Sequence, residues 1–351
     1  MRCLLKTRAW FFVFFAIPSH ADKTQDNCFQ ILTEIFHLPT RQPLPHFPES
    51  FEIGFPKDLD DLFDDRTEAR LNLTTQGEIS HSLRIELKPG KIAHEVWASN
   101  FLTDFGNVSV PQHRFLTNHE IKIFLGQLKR QNPLAYYLMH LELARWRGID
   151  AASVIEIVPE RISISSWVAN SKTGKDSLPT ELDKLKGEDS TFRFQVRQII
   201  NEAHPGLIKK LDTGLVLASI LGIWDFHRAN WLLDTANTPW MIDFTSSDLV
   251  SECRHLCDEL FQLLTFHPYY WGAGLEEIWE SEEILAEAAL SLSPSTLASL
   301  KRLTKQKLIK HALDYGYVLD PKDAEKMRKR IQFILKAAKK SRANVESSPN
   351  P

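Results

Sequence analysis

The chain of 351 residues is poor in cysteine and glycine, with 4 and 14 respectively. Removal of a leader containing Cys3 would leave Cys28, Cys253 and Cys257, an odd number that does not make a disulfide framework. Cys28 pairs with one of the other two, or all three stay as thiols; both alternatives are open. No Cys/His spacing typical of a structural zinc site is present, which argues against a zinc-binding module.

The chain also lacks a strong net charge and a long apolar run in its mature part. Its formal net charge is −3, which gives no general attraction to nucleic acid or to anionic membranes. No stretch after the N-terminal segment approaches 18 apolar residues, so we expect no stable membrane span. The hydrophobic fraction of 43% and the charged fraction of 25% are those of a globular protein with a substantial core.

The first 21 residues have the pattern of a secretory signal sequence. Three basic residues precede a short apolar run at 9–17, and the small residues Ser19 and Ala21 follow it. We therefore predict cleavage near Ala21 and export to a periplasm, to the medium or into a secretory lumen.

Changes in composition divide the rest of the chain into four parts. Residues 22–68 form a Pro- and acid-rich extension, 69–168 a β-rich lobe, 169–345 a helical lobe and 346–351 a disordered tail. The predicted fold class is α+β, with a small antiparallel β lobe followed by a larger helical lobe.

Alternating and apolar segments define the strands predicted for the first lobe. They include RLNLTT, HSLRIELK, IAHEVWAS, HEIKIFL and RISISSWV, with KPGK at 88–91 as a tight turn between two strands. One helix is predicted at 132–148, where apolar residues repeat at helical spacing. In the second lobe we predict helices at 191–202, 207–221, 251–266, 275–292, 294–315 and 321–343.

The segment WDFHRANWLLDTANTPWMIDF, at 224–244, places polar residues within an apolar stretch. It predicts two short strands joined by a turn at 235–238, with Asn230 and Asp243 at the same end of the hairpin. Burying an amide and a carboxylate requires a partner that offsets their desolvation. Asn and Asp oxygens are hard ligands that suit Mg²⁺ together with phosphate oxygens.

Asp225 and His227 precede this hairpin in the predicted loop. Asp225 lies five residues before Asn230, where its carboxylate could accept a proton from an attacking hydroxyl. His227 lies between them and could contact a transferring phosphate or fix the loop.

The pattern D-x-H-x-x-N followed by IDF resembles the catalytic and metal-binding loops of the protein-kinase-like superfamily. It is most similar to the aminoglycoside phosphotransferase and lipopolysaccharide-core kinase branches. The resemblance implies a bilobal kinase-like fold that uses ATP, with Asp225 as catalytic base and Asn230 and Asp243 as Mg²⁺ ligands.

The same resemblance implies a lysine on the third strand of the small lobe, paired with a glutamate on a helix. HEIKIFL offers Lys122, and the helix that follows offers Glu142; this is the preferred assignment. Lys88, at the end of RIELKPG and with Glu95 nearby, is the alternative.

DFGNVSV, with Gly106, resembles the end of the family's glycine-rich loop. The chain departs from the family pattern at Phe101 and Thr103, where glycines are usual, and at Thr245, which replaces the glycine after IDF. The predicted function is transfer of phosphate from Mg-ATP to a hydroxyl on a protein, sugar or small-molecule acceptor, with no nucleic-acid partner. The alternatives are an exported pseudokinase acting as a binding scaffold and a nucleotidyltransferase with the same fold.

Overall fold

A computed structural model describes residues 44–56, 62–64, 68–88, 90–106, 108–150, 157–178, 190–223, 230–244 and 289–347. The predicted signal sequence, all four cysteines, Asp225, His227 and the helix predicted at 251–266 lie outside the described residues.

The first part of the chain builds an antiparallel sheet. Its main path runs in the order β1, β3, β4, β6, β5, and β2 pairs with β3. The strands are β1 (Glu52–Gly54), β2 (Phe63–Asp64), β3 (Glu68–Thr75), β4 (Glu78–Glu86), β5 (His113–Phe115) and β6 (Ile162–Ser166).

β3 and β4 form a hairpin, and its register determines which side chains lie on each face of the sheet. Gln76 and Gly77 make the two-residue turn with φ of 55° and 84°, the conformation that matches strand twist. The pairs Leu71–Leu83 and Ala69–Ile85 are buried on one face. Because side chains alternate along a strand, the cross-strand pair Arg70–Arg84 lies on the other face.

Two segments predicted as strands are helices. IAHEVWAS lies in α1 (Lys91–Gly106), so KPGK joins β4 to a helix rather than to a strand. HEIKIFL lies in α2 (Asn118–Gln131), which begins with a capping box between Thr117 and Glu120. The predicted helix at 132–148 is confirmed as α3 (Pro133–Trp146).

The misassignment of α1 has a physical cause. Its residues 92–102 are all buried, so no polar face marks a helical period against the apolar one. A short run of buried apolar residues is ambiguous between helix and strand when periodicity alone is considered.

The second part of the chain is mainly helical, as predicted. It contains β7 (Lys172–Thr173), α4 (Gly174–Ser177), α5 (Ser190–Ala203), α6 (Leu207–Ile220), β8 (Trp231–Leu233), β9 (Pro239–Met241), α7 (Pro294–Lys301), α8 (Lys305–Asp314) and α9 (Pro321–Ser347). The single helix predicted at 294–315 was wrong: it is divided into α7 and α8. Thr304 begins the second of these by accepting a hydrogen bond from Lys307 N.

The described residues form two hydrophobic clusters. One lies between the sheet and helices α2 and α3, and the other gathers α6, α7, α8 and α9. Helix α1 follows a sheet strand in the chain, yet Trp97, Phe101 and Leu102 pack in the helical cluster. The predicted α+β class, with antiparallel sheet preceding a helical part, is confirmed.

Within the described residues, no helix has both the length and the apolar character needed to cross a bilayer.

Candidate functional site

The predicted hairpin in WDFHRANWLLDTANTPWMIDF is confirmed as β8 and β9. Its strands pair antiparallel, with Trp231 opposite Met241 and Leu233 opposite Pro239. Ile242 N donates to the carbonyl oxygen of Asn230 at 3.0 Å, which extends the pairing by one step. The backbones of Asn230 and of the residue before Asp243 therefore meet at the open end of the hairpin, as expected.

Asp234 organises the turn at the opposite end. Its Oδ1 accepts from Ala236 N at 2.9 Å and Thr238 N at 2.8 Å, and its Oδ2 accepts from Trp240 Nε1 at 2.9 Å. Partial burial acts to raise the pKa of Asp234, but the hydrogen bonds from these three donors lower it below its usual value. The Asp side chain thus bonds to backbone that follows it, as in an Asx-turn.

Two contacts of Met241 help to hold the hairpin on the protein. Met241 N donates to Ser109 O at 3.0 Å, which ties β9 to the segment between α1 and β5. Gly214 of α6 lies directly against the Met241 side chain, and a Cβ at this position would overlap it. A glycine therefore allows the hairpin to approach α6 closely.

Asp243 has an unusual backbone conformation. Its φ is 60°, in the left-handed region that residues other than glycine rarely adopt, although Asp tolerates it better than most. Such conformations persist where surrounding structure imposes them, and they concentrate at functional sites. The Asp243 carboxylate is 29% exposed, and its Oδ2 lies 3.9 Å from Arg70 Nη2.

A buried ionic cluster lies on the Arg70–Arg84 face of the sheet. Arg84 Nη1 is 2.7 Å from Glu95 Oε2 on α1 and 3.3 Å from Glu68 Oε1 on β3. Arg70 Nη2 is 2.7 Å from the same Glu68 oxygen. Glu68 and Glu95 are 0% and 1% exposed, so their charges depend on these guanidinium groups. We call Arg70, Arg84, Glu68 and Glu95 the ionic cluster.

Burial is the largest influence on the pKa of Glu95 in the ionic cluster. It raises the pKa of Glu95 to about 7, although Arg84 acts to lower it, while Glu68 and Asp243 add to the rise. On the nearby strand β5, burial and then Arg84 lower the pKa of His113 to about 3. His113 is therefore neutral at physiological pH and adds no positive charge beside Arg84.

Helix α1 connects the ionic cluster to the hairpin and to the C-terminal helices. The ring of buried His94 bonds through Nδ1 to the carbonyl oxygen of Phe244 at 3.0 Å. Trp97 stacks on Tyr317 with ring centroids 4.9 Å apart and donates through Nε1 to His311 Nδ1 at 3.1 Å. These contacts fix the helix that carries Glu95.

Lys122 and Glu142 are not brought together. The strand predicted through Lys122 was wrong, and the residue lies on an exposed position of α2. Glu142, on α3, has its described ionic contact with Arg145 at 3.6 Å. Both helices belong to the segment between β5 and β6, and they pack on the apolar face of the sheet.

Lys88 and Gly106 also occupy places other than those expected. The Lys88 ammonium lies 5.0 Å from the centroid of the Trp146 ring, a cation–π contact with α3. Gly106 ends helix α1, where an added Cβ would overlap the side chain of Leu217. The glycine permits helix packing, and the expectation of a phosphate loop at this point was wrong.

The described residues contain no group of three or more His, Cys, Asp or Glu side chains arranged to hold a metal by themselves. Asn230, which is 7% exposed, and Asp243 supply hard oxygen atoms on either side of the hairpin's open end. Two such protein ligands are enough for Mg²⁺ when phosphate oxygens and water complete its octahedron.

Sequence reasoning missed Arg84, Arg70 and Glu68. Arg84 was missed because the family resemblance implies a lysine, and Glu95 was considered only as a companion of Lys88. A four-residue repeat through Ala93, Trp97 and Phe101 was the available signal that Glu95 lies on a helix directly after the arginine-bearing strand.

No family model matches the chain, and no curated protein matches it in sequence. Among solved structures, a Helicobacter pylori proinflammatory kinase, CtkA, is similar over 87% of this chain and 100% of that chain. The TM-score is 0.41 and the sequence identity is 13%. At this level of similarity, nothing about activity transfers from that kinase to this chain.

Proposed function

We propose that the protein is a kinase-like phosphotransferase that moves a phosphate from Mg-ATP to a hydroxyl group. The observation that carries the proposal is the Arg84–Glu95 ion pair at 2.7 Å. This ion pair joins β4, the third strand along the main path of the sheet, to the helix α1 that follows it. Protein kinases have a Lys–Glu ion pair between a strand and a helix in the corresponding positions. In this chain an arginine takes the place of the lysine.

The hairpin provides the second half of the proposed site. Asp243 and Asn230 would hold Mg²⁺, which supplies charge neutralisation for the phosphates. Arg70 lies between the two halves, 2.7 Å from Glu68 and 3.9 Å from Asp243. We further propose that Asp225 orients the acceptor hydroxyl and takes its proton, with His227 beside it.

The acceptor and the compartment are also proposals. The acceptor is a hydroxyl on a protein, a sugar or a small molecule, and the sequence pattern at 1–21 supports export before the protein acts. Mass spectrometry of the mature N-terminus checks the predicted cleavage. A chain that retains its first 21 residues contradicts export with removal of a signal sequence.

A second candidate is a pseudokinase scaffold with a kinase-like fold. The connection from β1 to β3 favours it, because residues 55–67 contain five aspartates and no glycine. Glycine-rich backbone is what ordinarily cradles nucleotide phosphates in this fold.

Thermal unfolding of the full chain with and without millimolar Mg-ATP separates the two candidates. A ligand at 100 times its Kd stabilises the folded state by about 2.7 kcal/mol, which raises Tm by several degrees. We expect this rise in the wild type and in the surface control Asp314→Ala, and its loss in Asp243→Ala. Asp225→Ala should keep the rise but abolish phosphate transfer. Absence of any nucleotide-dependent rise in the wild type favours the scaffold.

A further inference from the structure

Arg70 and Arg84 face each other across β3 and β4, with Glu68 between their guanidinium groups. They are direct cross-strand partners in the hairpin register. Glu68 Oε1 is 2.7 Å from Arg70 Nη2 and 3.3 Å from Arg84 Nη1. Like charges opposite each other destabilise a strand pair. The Glu68 carboxylate offsets the repulsion between the two guanidinium groups, and this explains how they can lie close together. The two arginines nevertheless differ in what else they contact.

Arg84 is committed to the interior. Its guanidinium lies against two carboxylates that are 0% and 1% exposed, and its own side chain is 14% exposed. Withdrawing it toward a ligand would leave Glu95 buried without its closest counter-charge, and uncompensated buried charges are strongly destabilising. Arg84 is therefore suited to holding α1 against the sheet.

Arg70 is directed toward the hairpin. Its side chain is 36% exposed, and Nη2 lies between Glu68 Oε1 and Asp243 Oδ2, at 2.7 Å and 3.9 Å. Nε also donates to Glu68 at 2.8 Å, which orients the guanidinium plane. A guanidinium held in this way presents a fixed positive charge beside a proposed metal-binding carboxylate, and arginine is a common residue for phosphate recognition.

We propose that Arg70, and not Arg84 on β4, binds the phosphates beyond the α-phosphate of a nucleoside triphosphate. This assignment rests on the proposed function, since it requires that a nucleotide binds beside Asp243. It gives the two arginines separate tasks: Arg84 maintains the position of α1, and Arg70 discriminates a triphosphate from a monophosphate.

The test compares the affinities of the full chain for Mg-ATP, Mg-ADP and AMP by isothermal titration calorimetry. Arg70→Gln should weaken Mg-ATP binding by about tenfold or more, because a charge-assisted hydrogen bond is lost, while AMP affinity changes little. Arg70→Lys should recover part of the preference for ATP. Arg130→Gln, the same change at an exposed position of α2, should leave all three affinities unchanged.

Arg84→Gln should instead lower Tm in the absence of nucleotide.

If the wild type binds ATP and Arg70→Gln keeps the same ratio of ATP to AMP affinity, this assignment is overturned and the proposed function stands. Tighter ATP binding by Arg70→Gln would mean that Arg70 competes with the metal for Asp243, which also overturns it. If the wild type binds no nucleotide, the proposed function and this assignment are both overturned. Circular dichroism of each variant checks folding, and Arg70→Lys provides the comparison with the wild type if the glutamine variant does not fold.

Discussion

His94 Nδ1 lies 3.0 Å from the carbonyl oxygen of Phe244, which is 150 residues further along the chain. His94 is adjacent to Glu95 in α1, and Phe244 is adjacent to Asp243 after β9. Besides the Arg70–Asp243 contact, a buried hydrogen bond therefore joins the helix that completes the ionic cluster to the loop that carries the proposed metal ligand. The two halves of the candidate site are physically connected at this point.

Replacing His94 by Leu should weaken the connection between those halves. The carbonyl of Phe244 would lose this hydrogen bond in a buried environment, at a cost of about 1–3 kcal/mol of unfolding free energy. His94→Asn, whose amide nitrogen occupies a position close to that of Nδ1, should retain most of the stability. Urea unfolding of both variants checks this, and equal losses for Leu and Asn would contradict a role for the hydrogen bond.

Glu95 should make folding stability depend on pH. Its folded pKa of about 7 lies above the usual value of 4.5, so the folded state holds its proton more tightly than the unfolded state. The resulting stability is fully present below pH 4.5 and is lost as pH rises through about 7. The unfolding free energy of the wild type minus that of Glu95→Gln should fall over this window by about 3 kcal/mol. Urea unfolding between pH 4.5 and 8 measures it, and a flat difference would contradict the raised pKa.

Asp104 should be needed to hold α1 on the C-terminal helices. Its Oδ2 accepts from His311 Nε2 at 3.1 Å and from Tyr315 OH at 2.8 Å. Asp104→Ala would leave both donors without this acceptor, and we expect a loss of about 1–3 kcal/mol in unfolding free energy. Asp314→Ala, which removes an exposed bond to Lys310, is the matched control with an expected change within about 0.5 kcal/mol. Similar losses in the two variants would show that Asp104 is no more than a surface charge.

Gly214 should resist substitution because of its contact with Met241. An alanine methyl group would overlap that side chain and displace β9, so we expect Gly214→Ala to lose about 1–3 kcal/mol of unfolding free energy. Gly126→Ala is the control: this glycine lies in helix α2 with open space around it, and the change should stabilise by about 0.4–1 kcal/mol. Thermal unfolding compares the two, and a neutral Gly214→Ala would contradict close packing of α6 on the hairpin.

The hairpin was predictable from the sequence because its signals are local. Turn residues at 235–238 separate two apolar segments, and the strands they predict are β8 and β9. The placement of Asn230 and Asp243 at the same end follows from antiparallel pairing alone. Local chemistry was therefore sufficient for this half of the site.

The other half gave only a weak local signal, the four-residue repeat through Ala93, Trp97 and Phe101. Helix α1 is buried over residues 92–102, which removed the alternation of polar and apolar faces by which helices are recognised. Once α1 and α2 were taken for strands, Lys122 was assigned to a strand, and the pairing of Arg84 on β4 with Glu95 on α1 was missed.

Periodicity and turn residues act over a few neighbouring positions, and they were enough to predict the α+β class, the helical second part and the hairpin with Asn230 and Asp243. The partners of Arg70 and Arg84 could be identified only in the folded protein. Those partners come from three separate elements, β3, α1 and the loop after β9, which only long-range packing brings within 4 Å. Burial then decided the titration of Glu95, because its pKa depends on desolvation that no local pattern encodes.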